Sequence, residues 1–209
     1  MVLNATAALL TRVDRKYVLT SAEADAFILG LPGDACVLEI DGLRRFAYHS
    51  TYFDTPGLSC YLGAARRRGR RCKVRTRRYL DSDLQFLEVK TRRGGATVKH
   101  RAAWEQPLRH LDGDAREFVA EALGEDRIRL DGDLTPVLDV TYTRSTFLMP
   151  DGAARATVDT HLAWFDRETG GERTADRGHA EISGRGAPPC GTDGCVGAPC
   201  PRDARARRT

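Results

Sequence analysis

The sequence is most informative first in what it withholds. No stretch of its 209 residues approaches the roughly 18 to 20 apolar residues of a membrane-spanning helix. The opening "MVLNATAALLTRVDRKY" has only a short apolar patch with no basic residues before it, a poor match to a secretory signal. A cytoplasmic location is the expectation. Tight cysteine pairs are also missing. Cys36, Cys60 and Cys72 have neither metal-knuckle nor CxxC spacing and read as small buried or incidental residues. Cys190, Cys195 and Cys200 form a loose CxxxxCxxxxC, with only His179 upstream, which is not the signature of a zinc site. Lysine is scarcer still. Of 33 basic residues only Lys16, Lys73, Lys90 and Lys99 are lysines.

What is present is charge, unevenly placed. The formal net charge is +4, yet the segment from Arg66 to Arg101 holds fourteen Lys or Arg against Asp81, Asp83 and Glu88. That division suits a polyanionic ligand near one region rather than a generally basic surface. A solvated arginine-rich loop is the plain alternative for Arg66 to Arg71.

Period-two segments dominate the chain: "RVDRKYVL", "CVLEID", "AYHSTYFD", "CKVRTRRYL", "QFLEVKTR", "TVKHRAAWE", "PVLDVTYTRSTFLM" and "ARATVDTHLAWFD". Turn signals such as "DTPG", "DSD" and "TRRGGA" separate them at hairpin length. Two helices stand out. Thr20 and Glu23 have capping-box spacing ahead of a helix over 21–29, and "HLDGDAREFVAEALGED" carries an apolar stripe of Phe118, Val119, Ala122 and Leu123 that stops near Gly124. These elements predict an α+β fold, an antiparallel sheet curled into a barrel with helices packed outside. One domain over 1–183 is expected. From Gly184 to Pro201 twelve of eighteen residues are Gly, Pro or Cys, and 184–209 reads as a disordered or altered tail.

The strands share a one-sided habit. In "KVRTRRY", Lys73, Arg75 and Arg77 fall on one face with Tyr79, and Arg78 on the other. In "QFLEVK", Glu88 and Lys90 oppose Leu87 and Val89. Lys99 and Arg101 share a face, Arg155, Thr157 and Asp159 oppose Ala156 and Val158, Asp14 and Lys16 go together, and Arg144 sits near a strand end. Any one such strand is most simply a solvated outer face. Five together point to a basic lining that would be unstable empty and sensible around a chain of phosphates. Glu88 is the acid best placed to ligate Mg²⁺ or Mn²⁺, or equally to act as a counterion holding Arg75 or Lys90.

In their order, "RVDRKY", "STYFDTPGLSCY", "KVRTRRY", "FLEVK", "VKHR", "VTYTR" and "RATVD" resemble the VTC domain, the polyphosphate polymerase module of the CYTH-like triphosphate tunnel superfamily. The resemblance covers about Arg12 to Phe165. It implies an antiparallel barrel whose tunnel takes the phosphates of ATP and a growing inorganic polyphosphate, with Mn²⁺ or Mg²⁺. Carried over by motif, Lys16, Arg75, Arg77, Lys90, Arg144 and Arg155 bind phosphate, with Lys99 and Arg101 as additions. Arg75, Arg77, Lys90, Arg144 and Arg155 are then the catalytic cations, because phosphoryl transfer needs mainly positioning and charge neutralisation. "YFDT" is expected to serve structure, with Asp54 starting the turn before Pro56 and Gly57. The family usually closes its tunnel with a metal-binding Glu in an ExK setting followed by an SKY-like segment. Glu181 matches the Glu, but Ser183 stands at the Lys position and no SKY-like segment follows.

The expected activity is transfer of the ATP γ-phosphate to a polyphosphate chain. Alternatives are a tunnel triphosphatase, a non-catalytic polyphosphate-binding module and, less favoured, an RNA-binding protein using "RRRGRRCKVRTRR". Nucleic acid is not the expected partner, because the distant cations would be unnecessary and stacking aromatics are scarce in the basic segment. A membrane-protein partner is compatible with the resemblance.

Overall fold

The computed structural model describes residues 13–104, 110–152, 154–175 and 177–184. Among them are ten strands and three α-helices, and the strand ladders among these residues are antiparallel. The chain divides into two compact units, 1–46 with 143–162 and 175–209, and 47–142 with 163–174. Two long strands, β7 (Thr135–Leu148) and β8 (Ala154–Asp166), contribute residues to both.

In the first unit the strand order is β1 (Val13–Thr20), β10 (Arg177–Gly184), β8 and β7, with β2 (Cys36–Val37) paired to the end of β7. Strand β1 runs directly into α1 (Ser21–Leu29), and the transition is fixed by a capping box. The Thr20 hydroxyl accepts the Glu23 N–H at 3.2 Å, while the Glu23 carboxylate accepts the Thr20 N–H at 2.7 Å. Two otherwise orphaned donors are thereby satisfied. The helix lays Ala24, Phe27 and Ile28 against Val158 and Ala180, so the odd face of β1 and the even faces of β8 and β10 form the core. The segment "CVLEID" keeps strand geometry only at Cys36–Val37. Asp41 and Gly42 have φ of 50° and 77°, and an Ile40–Leu43 bridge closes a tight turn of the primed type, which ends the strand early.

In the second unit the order is β7, β3 (Phe46–Asp54), β4 (Arg70–Tyr79), β5 (Leu84–Arg93) and β6 (Ala96–Ala103). Gly94 and Gly95 alone join β5 to β6, with Gly94 at a φ of 59° that favours glycine. One face of this sheet is aliphatic. Phe53, Val74, Leu87 and Val89 pack on Ala115, Val119, Ala122 and Leu123 of α3 (Gly113–Glu125), and Leu87 and Val89 are completely buried. This is the helix over the apolar side of "FLEV" that the alternation predicts; it runs one residue past Gly124, with Asp126 as its C-cap.

One helix was not legible in the sequence pattern. α2 (Ser59–Ala65) is too short to show a periodic stripe, and its N-cap Leu58 is left-handed with no side-chain cap. The cap comes from farther back. The buried Asp54 carboxylate accepts the N–H groups of Thr55 at 2.8 Å, Cys60 at 2.8 Å and Tyr61 at 2.9 Å. Asp54 thus serves structure as expected, and does more than start a turn: it places negative charge where the helix N-terminus favours it. Strands β9 (Glu172–Thr174) and β10 also go beyond the eight segments with clear alternation. Most of the tail at 184–209 lies outside the described residues.

Truncating Leu87 to Ala removes the most buried contact between β5 and α3 and is expected to cost about 3 kcal/mol, measured as a lower urea midpoint with unchanged slope.

Candidate phosphate-binding faces

The register of the second unit turns the one-sided strands into a surface. Lys73 is directly opposite Lys90, and Lys90 opposite Lys99; one step along, Arg75 is opposite Glu88 and Glu88 opposite Arg101. Arg77 follows, opposite Phe86 and Ser50. Six predicted cations therefore share the face turned away from α3, with Glu88 as the carboxylate among them. Arg78 points to the other face and pairs with Asp83 at 2.5 Å, as the alternation requires.

Glu88 is the centre of the array. One of its oxygens accepts from Arg75 Nε at 2.8 Å and Nη2 at 2.7 Å; the other accepts from Lys99 at 2.5 Å and lies 3.5 Å from Arg101 Nε. Its side chain is only 3% exposed. Burial alone would raise its pKa, but Arg75 and Lys99 outweigh that and hold the carboxyl at about 2. Of the two roles open for Glu88, the geometry is that of a counterion, with both oxygens occupied by cations.

Aromatic rings support the remaining cations. Lys73 Nζ lies 4.7 Å from the centre of the Tyr52 ring, and the nearly buried Arg77 guanidinium lies 5.4 Å and 5.7 Å from the centres of the stacked Tyr48 and Tyr142 rings. Arg101 lies over Phe86 at 3.5 Å and donates to the Tyr79 hydroxyl at 2.8 Å. Among the described residues neither Lys73 nor Arg77 forms an ion pair with a carboxylate.

Tyr52 is a member of this face that sequence reasoning missed. Its hydroxyl accepts from Arg75 Nη1 at 3.1 Å. Burial pushes its pKa up, yet Lys73, Arg75 and Arg77 together bring it below the ordinary tyrosine value. The available signal was the Tyr48-Ser50-Tyr52 spacing, which puts all three on one side of β3.

The first unit has its own polar face. Arg144 grips Asp159 bidentately, at 2.6 Å and 2.7 Å, and Lys16 lies 3.3 Å from Glu181 on the neighbouring strand. Arg155 and Thr157 alternate with the buried Ala156 and Val158 and so share the Asp159 face. His179 is opposite Asp159. Burial lowers its pKa despite that carboxylate, which favours the neutral ring. The predicted residues thus fall into two groups: Lys73, Arg75, Arg77, Glu88, Lys90, Lys99 and Arg101 in one unit, Lys16, Arg144, Arg155 and Glu181 in the other.

Among the described residues no three His, Cys, Asp or Glu side chains converge to hold a metal by protein ligands alone. Glu88 is committed to cations. Glu181, paired with the half-exposed Lys16, is the candidate carboxylate for a divalent ion.

The VTC domain model matches residues 11–186. The chain belongs to the VTC domain family. Among solved structures, a putative adenylate cyclase from Bacillus halodurans is similar with a TM-score of 0.52 at 13% identity, covering 83% of this chain and 80% of the other. The PH1819 protein of Pyrococcus horikoshii aligns with a TM-score of 0.45 at 13% identity, over 85% of this chain and 80% of that one. A putative adenylyl cyclase from Hippeastrum described as having a dominant triphosphatase activity aligns with a TM-score of 0.43 at 13% identity, over 83% and 79%. No curated protein matches the chain in sequence. The fold of this VTC domain is that of the CYTH-like triphosphate tunnel proteins.

Because the folded pKa of Glu88 is depressed, its stabilisation is complete above the ordinary carboxylate range near pH ~4.3 and is lost as pH falls towards about 2. Glu88→Gln is expected to cost about 3 kcal/mol at pH 7, with the difference from the unchanged chain shrinking between those pH values in urea titrations.

Proposed function

We propose that this VTC domain is a polyphosphate polymerase that transfers the γ-phosphate of ATP to a polyphosphate chain. The observation carrying this reading is the cationic face of β4, β5 and β6, where Lys73, Lys90 and Lys99 stand directly opposite one another. Like charges in register repel. Six cations around one carboxylate leave an excess that a run of phosphates would neutralise, each phosphate oxygen accepting charge-assisted hydrogen bonds.

The division of labour follows from the chemistry. In phosphoryl transfer the charge to be stabilised is spread over non-bridging oxygens, so fixed cations and correct alignment supply most of the catalysis. Arg75, clamped by Glu88 and Tyr52, is already ordered before substrate arrives. Arg77 is ordered by its two tyrosines. Lys73 and Lys90 are exposed ammonium groups on the adjoining row, suited to following a moving chain as point charges. Lys16, Arg144 and Arg155 give the first unit's polar face cations of its own for phosphate. Glu181 is the residue that would share Mn²⁺ or Mg²⁺, whose contribution is further charge neutralisation.

Incubation of the purified chain with ATP and Mn²⁺ is expected to yield polymer. Phosphate alone would select a triphosphatase, and binding without turnover a non-catalytic module. Lys73→Ala is expected to weaken tripolyphosphate binding about tenfold, and Arg75→Ala by more, in calorimetric titrations. The reading fails if the unchanged chain binds no polyphosphate.

A further inference from the structure

The second unit holds two sulfurs that the phosphate chemistry does not use. Cys60 lies on α2 and Cys72 on β4; both are buried, and their Sγ atoms are 3.3 Å apart. The sequence gives no hint of this pair, because eleven residues separate the two cysteines. The fold brings them together because Asp54 pins the first turn of α2 through the Cys60 and Tyr61 N–H groups, beside the start of β4. A disulfide needs its sulfurs about 1.2 Å closer than they now stand, a shift within the reach of side-chain rotation on a seven-residue helix.

The two thiols are not equivalent. Cys72 is part of the lining of an open groove of about 350 Å³, together with Arg68, Arg70, Arg71 and Arg129. Cys60 does not line it. The contact between the two sulfurs lowers the pKa of Cys72 and raises that of Cys60. The thiolate is the reactive form of cysteine, and four guanidinium groups against the one carboxylate of Asp131 give the groove an attraction for anions.

We propose that Cys60 and Cys72 form a redox-active dithiol, oxidised to an intramolecular disulfide by a small anionic disulfide such as glutathione disulfide that reaches Cys72 through the arginine-lined groove. The Cys72 thiolate attacks one sulfur of the small disulfide, forming a mixed disulfide and expelling one small thiolate. Cys60, losing its proton, then attacks the Cys72 sulfur and expels the second. The protein loses two electrons and two protons, and the small disulfide is reduced to two thiols. The new bond ties α2 to β4 at the groove edge, one residue before Lys73, so it stiffens the strand that carries the phosphate-binding row.

The folded full-length chain, reduced and then treated with glutathione disulfide, is alkylated and mapped by peptide mass spectrometry. Expected are linked peptides containing Cys60 and Cys72, a mass lower by two hydrogens at that pair, a melting temperature higher by roughly 5–10 °C, and reversal by dithiothreitol. In Cys60→Ala, glutathione is expected to remain on Cys72, because no resolving thiol is left. The proposal is overturned if the exposed Cys36 reacts while Cys60 and Cys72 stay reduced, or if glutathione persists on Cys72 in the unchanged chain. Mapping of the unchanged chain decides the matter even if the variant fails to fold.

Discussion

A single buried carboxylate makes the cationic face of this domain possible. Without Glu88, Arg75, Lys99 and Arg101 would crowd a small area of sheet with nothing between them. With it, three cations are held straight at fixed separations, and the arginine side chain keeps a planar edge directed by two nitrogens. The arrangement resembles an incomplete ionic lattice. Its internal anion is enough to let the sheet fold and too little to neutralise the face, which leaves an ordered surface with a surplus of positive charge.

The same strands build the core. Val74 and Arg75, or Leu87 and Glu88, differ by one position and by the side of the sheet on which they fall. A slip of one residue in register would bury cations under α3 and expose the valines. Packing against α3 therefore fixes the position of the charges as firmly as it stabilises the unit. The first unit repeats the scheme at smaller scale, with α1 over Val158 and Ala180 and the Arg144–Asp159 pair on the opposite side.

This division into faces is why so much was legible beforehand. Alternation in "KVRTRRY" and "FLEVK" separates Arg78 from Arg77 and Leu87 from Glu88 without coordinates, because a strand has only two sides. The order of the motifs carried the family. What alternation could not supply was pairing across strands: that Glu88 serves three cations at once, or that Tyr52 lies against Arg75, depends on register between segments far apart in sequence. Helix α2 was hidden for a related reason, since its cap is a side chain from the preceding strand. The truncation of "CVLEID" turned on the backbone at Asp41 and Gly42, a local choice that overrode apolar content.

The scarcity of lysine acquires a chemical meaning once the fold is known. Three of the four primary amines carried by side chains stand shoulder to shoulder on one face, and the fourth touches Glu181. Guanidinium groups elsewhere are inert to mild acylating reagents. The protein has thus confined its side-chain amines to these two charged faces, so that among its side chains an ordinary amine-directed label is site-directed.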